Sequence, residues 1–228
     1  MADLGIQHLA LFILAGWALN LTPGPDVFYM VTHALKGGWR AGTVAAAGIF
    51  AGCLVHVAAA TVGLSALVAS SATAFTVLKV VGAAYLVYMG FKMLMSKPVN
   101  AMNSVANEAI NMPATSKSTP YLGKNDLKKV FLQGFWTNVL NPKVALFFLA
   151  FLPQFITPHS AHPSLAFLAL GVVFNVSAIP INMGYVLLAA WFKQRAGVVQ
   201  RGMHWLERIA GAVFIGFGVK LALTELPH

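Results

Sequence analysis

Long apolar stretches separated by short polar ones run along the whole chain, and each stretch is long enough to cross a bilayer. Apolar runs of this kind predict membrane-spanning helices near residues 4–35, 41–69, 72–95, 129–156, 163–192 and 205–224, because about 20 predominantly apolar residues span a hydrocarbon core. Two of the six are interrupted. The first carries Leu19-Asn20-Leu21-Thr22-Pro23-Gly24-Pro25-Asp26, and the fourth carries Asn138-Val139-Leu140-Asn141-Pro142-Lys143. As one unbroken helix, residues 4–35 would run roughly 48 Å against a core of about 30 Å, so a break is expected. Pro23 and Pro25 lack backbone donors and clash with the preceding turn. In a bilayer, the backbone groups so freed are tolerated only where protein or a water-filled cavity satisfies them.

The two interrupted stretches are related. The first begins at Gly16-Trp17, and Gly134-Phe135-Trp136 opens the second 118 positions further on. At an offset of 129, Lys79, Val80, Gly82, Ala83, Tyr85, Leu86 and Tyr88 fall on Arg208, Ile209, Gly211, Ala212, Phe214, Ile215 and Phe217. Residues 97–128, rich in Asn, Ser, Thr, Ala and Pro, read as a polar cytoplasmic linker. It separates a first three-helix repeat, 1–96, from a second, 129–228. An odd number of spans per repeat puts the second copy in the membrane upside down, as in many secondary transporters. The expected fold is an all-α integral membrane protein of six transmembrane helices in two inverted three-helix repeats, helices 1 and 4 discontinuous.

Composition agrees: 58% of the 228 residues are hydrophobic and 9% charged, with a mean hydropathy of +0.74, far from the values of soluble domains. The net charge of +9 comes from basic residues spread through connecting segments, unlike a nucleic-acid surface. Lys36, Arg40, Lys92, Lys97, Lys117, Lys124, Lys128, Lys129, Lys193, Arg195 and Arg201 all fall on one side of a six-span topology, and Lys220 is the main basic residue on the other. The positive-inside rule then places both termini outside. Cys53 is the single cysteine, so no disulfide or metal framework is available. The N-terminus has no basic region or cleavage site of a secretory signal, and the first apolar stretch is expected to be retained.

Candidate chemistry concentrates at the breaks. Asp26 is the one carboxylate well inside an apolar stretch, about 15 Å along a helix from Lys36, where a charge costs at least about 2.5 to 3.5 kcal/mol. It could cap the helix that restarts after the break, face a cavity, or do both. Lys143 is the matching cation, about 20 Å along from Lys129, and could instead snorkel to an interface. The two are expected to face one cavity and compensate each other. Asn20, Asn138 and Asn141 could serve either a zwitterionic ligand or the freed backbone, with Thr22, Pro23, Gly24, Pro25 and Pro142 shaping the breaks. Asn175 and Asn182, around Pro180, form a weaker interruption of the fifth span. Gly48 and Gly52 read as a close helix contact. His56 reads as a hydrogen-bonded core histidine, and Cys53 as a small packing residue. Metal-ligand spacings, nucleophile-and-base pairs and nucleotide motifs are absent from the sequence, so neither an enzyme nor a cofactor is expected.

Thr22-Pro23-Gly24-Pro25-Asp26, together with Asn138-Val139-Leu140-Asn141-Pro142-Lys143 and the following Phe147-Phe148-Leu149-Ala150-Phe151-Leu152-Pro153-Gln154-Phe155, resembles the LysE/RhtB superfamily of bacterial amino-acid exporters. The likeness is greatest to the homoserine/threonine and leucine exporter branch and covers nearly the whole chain. It implies proton-coupled efflux of small L-amino acids across the inner membrane, with Asp26 as the proton or substrate-amine group. The partners it implies are an amino acid, protons and the lipid bilayer, not nucleic acid; a homodimer is left open. A passive small-solute channel is the alternative, since channels also join inverted three-span halves with Asn-Pro elements, although an intramembrane Asp and Lys are unusual for a neutral pore.

Overall fold

A computed structural model describes residues 4–95, 123–157 and 160–191, and beyond these residues 208, 209, 211–213, 215, 216 and 219. Most of the expected linker and most of the expected sixth span lie outside the described residues, as do Lys97, Lys117, Lys193, Arg195, Arg201 and Lys220. The described chain is helical: α1 spans Leu9–Leu21, α2 Pro25–Ser70, α3 Ala72–Leu94, α4 Lys124–Val139, α5 Pro142–Phe151 and α6 Pro163–Trp191, with a 3-10 turn over Leu152–Phe155 after α5. No β-strand occurs among the described residues; a lone antiparallel bridge joins Ile6 to Ile156. Two helices, α2 and α6, are long and apolar enough to cross a membrane, and α4 with α5 makes a third if that pair, bent by 46° at its break, is one span.

Both breaks fall where the prolines require them. α1 stops at Leu21, Thr22 turns to an extended conformation, and α2 restarts with Pro25 at its first position, where a missing N–H costs nothing. α4 stops at Val139 and α5 restarts at Pro142 in the same way. Gly24 is extended (φ −161°), a conformation open to any residue, so its value to the break is not the conformational freedom that glycine adds.

The expected separation of spans one and two appears in a different form. The helical run Pro25–Ser70 is continuous in hydrogen bonding except at Gly38, where φ is +71°, a left-handed angle that favours glycine. A β-carbon on Gly42 would lie 3.2 Å from the Cα of Ala34, whereas eight residues of straight helix advance about 12 Å. The chain therefore reverses at Gly38, and α2 consists of two antiparallel arms. α4 also begins earlier than the expected span at 129, because Lys124 to Lys128 are adequate helix formers; hydropathy marks where lipid begins, not where a helix does.

α2 packs mainly on α4 and α6. The approach is close because Gly48 and Gly52 lie against the α4 backbone: a β-carbon at Gly52 would stand 2.5 Å from the Phe135 carbonyl oxygen. Gly134 of α4 answers from the other side, near the Ala45 carbonyl. α3 packs against α5, with Gly82 on Ala150, and Gly90 of α3 meets Gly211 and Ile215 of the second half.

Two buried apolar clusters result. One is aromatic, built on Phe12, Phe147, Phe148, Phe151, Phe155 and Phe174, with Phe147 stacked on Phe151 at 4.6 Å between centroids and Phe12 edge-on to Phe155 at 5.1 Å. The other is mostly aliphatic, with Val27, Val31, Ala34, Ala45, Ala46 and Ile49 around Met30 and Tyr185. The helix breaks lie between them.

Candidate functional site

The prolines at the first break free particular carbonyls. In an unbroken helix the Leu19 carbonyl would accept from residue 23 and the Leu21 carbonyl from residue 25, but both positions are proline and have no N–H to give. Side chains from the second half of the chain supply donors instead. The Lys143 ammonium donates to the carbonyls of Leu19 and Thr22, both at 2.8 Å, and the Tyr185 hydroxyl of α6 donates to that of Leu21 at 2.9 Å. The end of α1 is further closed by its own polar residues: Asn20 donates to the Gly16 carbonyl at 2.8 Å and Thr22 to that of Ala18 at 2.7 Å.

At the second break, Asn141 is the N-cap of α5. Its side-chain oxygen accepts from the Lys143 amide at 3.0 Å, which fixes the start of the helix that carries Lys143. Asn138, one turn earlier, donates its side-chain amide to Asp26 at 2.8 Å. Asn141 stands beside the same carboxylate, with Lys143 and His56 also near it. The other Asp26 oxygen and the Asn138 side-chain oxygen are buried and accept no hydrogen bond within the protein.

These groups surround one cavity of about 40 Å³, walled by residues of both breaks, α2 and α6, with room for a few water molecules. Of the sequence-derived candidates, Asn20, Thr22, Gly24, Asp26, Asn138, Asn141, Lys143, Asn175 and Asn182 line it; Pro23, Pro25 and Pro142 do not, and act through the backbone. Among the described residues, the buried polar side chains are Thr22, Ser65, Asn138, Asn141 and Asn175, and all but Ser65 face this cavity. Buried polar groups are expensive, and their gathering here makes this cavity the candidate site. A larger, mostly apolar hollow of about 280 Å³ shares Phe50 and Asn182 with it, walled also by Ala46, Ile179 and Met183.

Several groups take parts that sequence reasoning missed. Tyr185 had no polar neighbour in sequence to single it out, and its partner lies 164 positions away. His56 is hydrogen-bonded, as expected: its Nε2 lies 3.0 Å from the Asn138 carbonyl, to which it donates when that nitrogen is protonated. Cys53 is buried, as expected of a packing residue, and also forms part of the cavity wall. Among the described residues, no group of His, Cys, Asp or Glu could hold a metal ion.

The arrangement brings a carboxylate from one half of the chain and an ammonium from the other to one small space, between the end of one half-helix and the start of another. Comparison with known proteins agrees with a transport site. The chain is 33% identical to an uncharacterized membrane protein of Pseudomonas aeruginosa over 99% of its length and all of the relative's. It is 28% identical to an uncharacterized membrane protein of Bacillus subtilis, over 96% of this chain and all of that one. A leucine efflux protein of Klebsiella pneumoniae is 27% identical over 98% of this chain and 99% of its own. No solved structure matches significantly. The sequence model of the LysE type translocators matches residues 17–225, both breaks included, and the chain therefore belongs to the LysE type translocator family, as a membrane transporter and not an enzyme.

Proposed function

We propose that the chain is a secondary exporter of small neutral L-amino acids, of the threonine, homoserine or leucine kind, driven by proton antiport across the bacterial inner membrane. The single observation that carries this reading is the cavity at the two breaks, where Asp26 from one half and Lys143 from the other face the same small space. A zwitterion needs both signs of charge, and a neutral pore needs neither. The adjoining apolar hollow suits an uncharged side chain, and the efflux of leucine named for one relative fits the same chemistry.

On this reading six spans form two inverted repeats, 1–96 and 129–228, joined by a cytoplasmic linker over 97–128, with both termini in the periplasm. The paired breaks, each ending one helix and restarting another with proline, support the repeat. Asp26 exchanges the proton, and Asn138 and Asn141 orient its carboxylate. A small cavity between two apolar clusters, and not a wide continuous pore among the described residues, supports alternating access over a passive channel.

The test is flux in liposomes carrying the purified protein. Uptake or release of radiolabelled L-leucine and L-threonine should follow an imposed pH gradient, and Asp26→Asn should lower the gradient-driven rate at least about tenfold, a loss of about 1.4 kcal/mol in barrier terms. Flux indifferent to the gradient, or unchanged in Asp26→Asn, overturns proton antiport.

A further inference from the structure

Lys143 is placed as a substrate would be. Its ammonium donates to two backbone carbonyls, Leu19 and Thr22, each at 2.8 Å. Those carbonyls close the C-terminal end of α1, where the aligned peptide dipoles leave partial negative charge, and Pro23 has removed the N–H that would have occupied the first of them. In broken-helix transporters such ends are where cations are bound. The side chain reaches them across Gly24, whose absent β-carbon would stand 3.5 Å from the ammonium nitrogen.

We infer that the Leu19 and Thr22 carbonyls form the subsite for the α-ammonium group of the transported amino acid, and that Lys143 is a tethered stand-in for that group, displaced when substrate binds. This rests on the amino-acid export reading above. A lysine ammonium and an α-ammonium carry the same charge and the same three donors, so whatever satisfies one at 2.8 Å satisfies the other. Once displaced, Lys143 remains in the cavity, where both Asp26 and the substrate carboxylate can neutralise it. The empty transporter thus keeps both carbonyls paired with an ammonium. A ligand bringing its own ammonium can release Lys143 and still give the Thr22 carbonyl a donor, and give that of Leu19 one beyond the 3.2 Å bond it accepts from the Thr22 amide. A solute without an ammonium has no group to take the carbonyls, so Lys143 competes with the amino acid's ammonium and with no group of such a solute.

The decisive quantity is a ratio of affinities. The purified full chain is titrated with a panel of the common L-amino acids, and the tightest binder is compared with its α-hydroxy acid, for instance L-leucine with leucic acid. The hydroxy acid keeps the carboxylate and side chain but has no ammonium. In Lys143→Met the ammonium of the ligand no longer meets a competitor, so the ratio of amino-acid to hydroxy-acid affinity should rise at least about tenfold over wild type, about 1.4 kcal/mol. Any effect of the lost charge on the carboxylate is common to both ligands and cancels. Lys143→Gln keeps a donor for the carbonyls and serves if the methionine variant does not fold; its ratio should rise in the same direction. A ratio that falls or stays put in the folded variant overturns the inference, and so does binding that becomes dependent on sodium with the ratio unchanged. Wild-type protein that neither binds nor moves any amino acid overturns the export reading itself, before any variant is made.

Discussion

Asn141 performs two tasks with one side chain. Its oxygen caps α5 through the Lys143 amide, while its position beside Asp26 puts the same residue in the wall of the cavity. Cap and site therefore cannot be altered independently. Asn141→Ala should lose about 1 kcal/mol of stability, read as a lower midpoint of thermal unfolding in detergent, whereas Asn141→Ser keeps an oxygen for the cap and should recover most of it. Equal loss in both variants would show that the cap contributes nothing. At this scale the sequence was legible where chemistry is rare in its surroundings: a lone intramembrane Asp and a matching Lys stand out among leucines and phenylalanines. Tyr185 does not stand out, since an aromatic residue in an apolar helix is ordinary until its hydroxyl is found on the carbonyl that Pro25 left open.

Among the elements, the breaks were readable because proline acts locally: what it forbids at positions 23, 25 and 142 needs no tertiary information. The reversal at Gly38 was readable only as a gap between hydrophobic stretches, since a hydrogen-bonded helix on both sides of one left-handed glycine conceals a turn that hydropathy merely brackets. The beginning of α4 before the lipid-like residues was missed for the opposite reason, that polar sequence is no bar to helix. Close packing of α2 on α4 follows from small residues, and it gives a sharp contrast along one helix. Gly52→Ala would drive a methyl into the Phe135 carbonyl and the Asn138 side chain, and should destabilise by about 1 to 3 kcal/mol. Gly63, also in α2, has open space around its would-be β-carbon. Gly63→Ala should be neutral or stabilising by up to about 1 kcal/mol. Thermal unfolding of the two variants side by side checks the pair, and equal effects would mean that the contact is not tight.

For the whole molecule, the charge count along the chain and the proposed inverted repeat make one topological statement. In a Cys53→Ala background, Ser70→Cys and Ala161→Cys, both at exposed positions, should react with a membrane-impermeant maleimide added outside intact spheroplasts. Asn125→Cys, exposed at the start of α4, should react only after permeabilisation. The reverse pattern would turn the molecule over, and labelling of all three from one side would dismiss the six-span arrangement.

The unequal character of the two apolar clusters has a consequence for how the molecule idles. On the side that holds the chain's amino terminus, a seal of interlocked phenylalanines must be pried open, and each ring carries about 150 to 250 Å² of surface at about 25 cal/mol per Å² if wetted. Parting the buried side chains of the other cluster, where Met30, Ile49 and Tyr185 stand among alanines and valines, wets less aromatic surface. With the amino terminus outside, as we propose, the cheaper door is the inner one. An unloaded molecule would then wait with its site offered to the cytoplasm, and the heavy outer door would act as a check valve against backflow when the gradient fails.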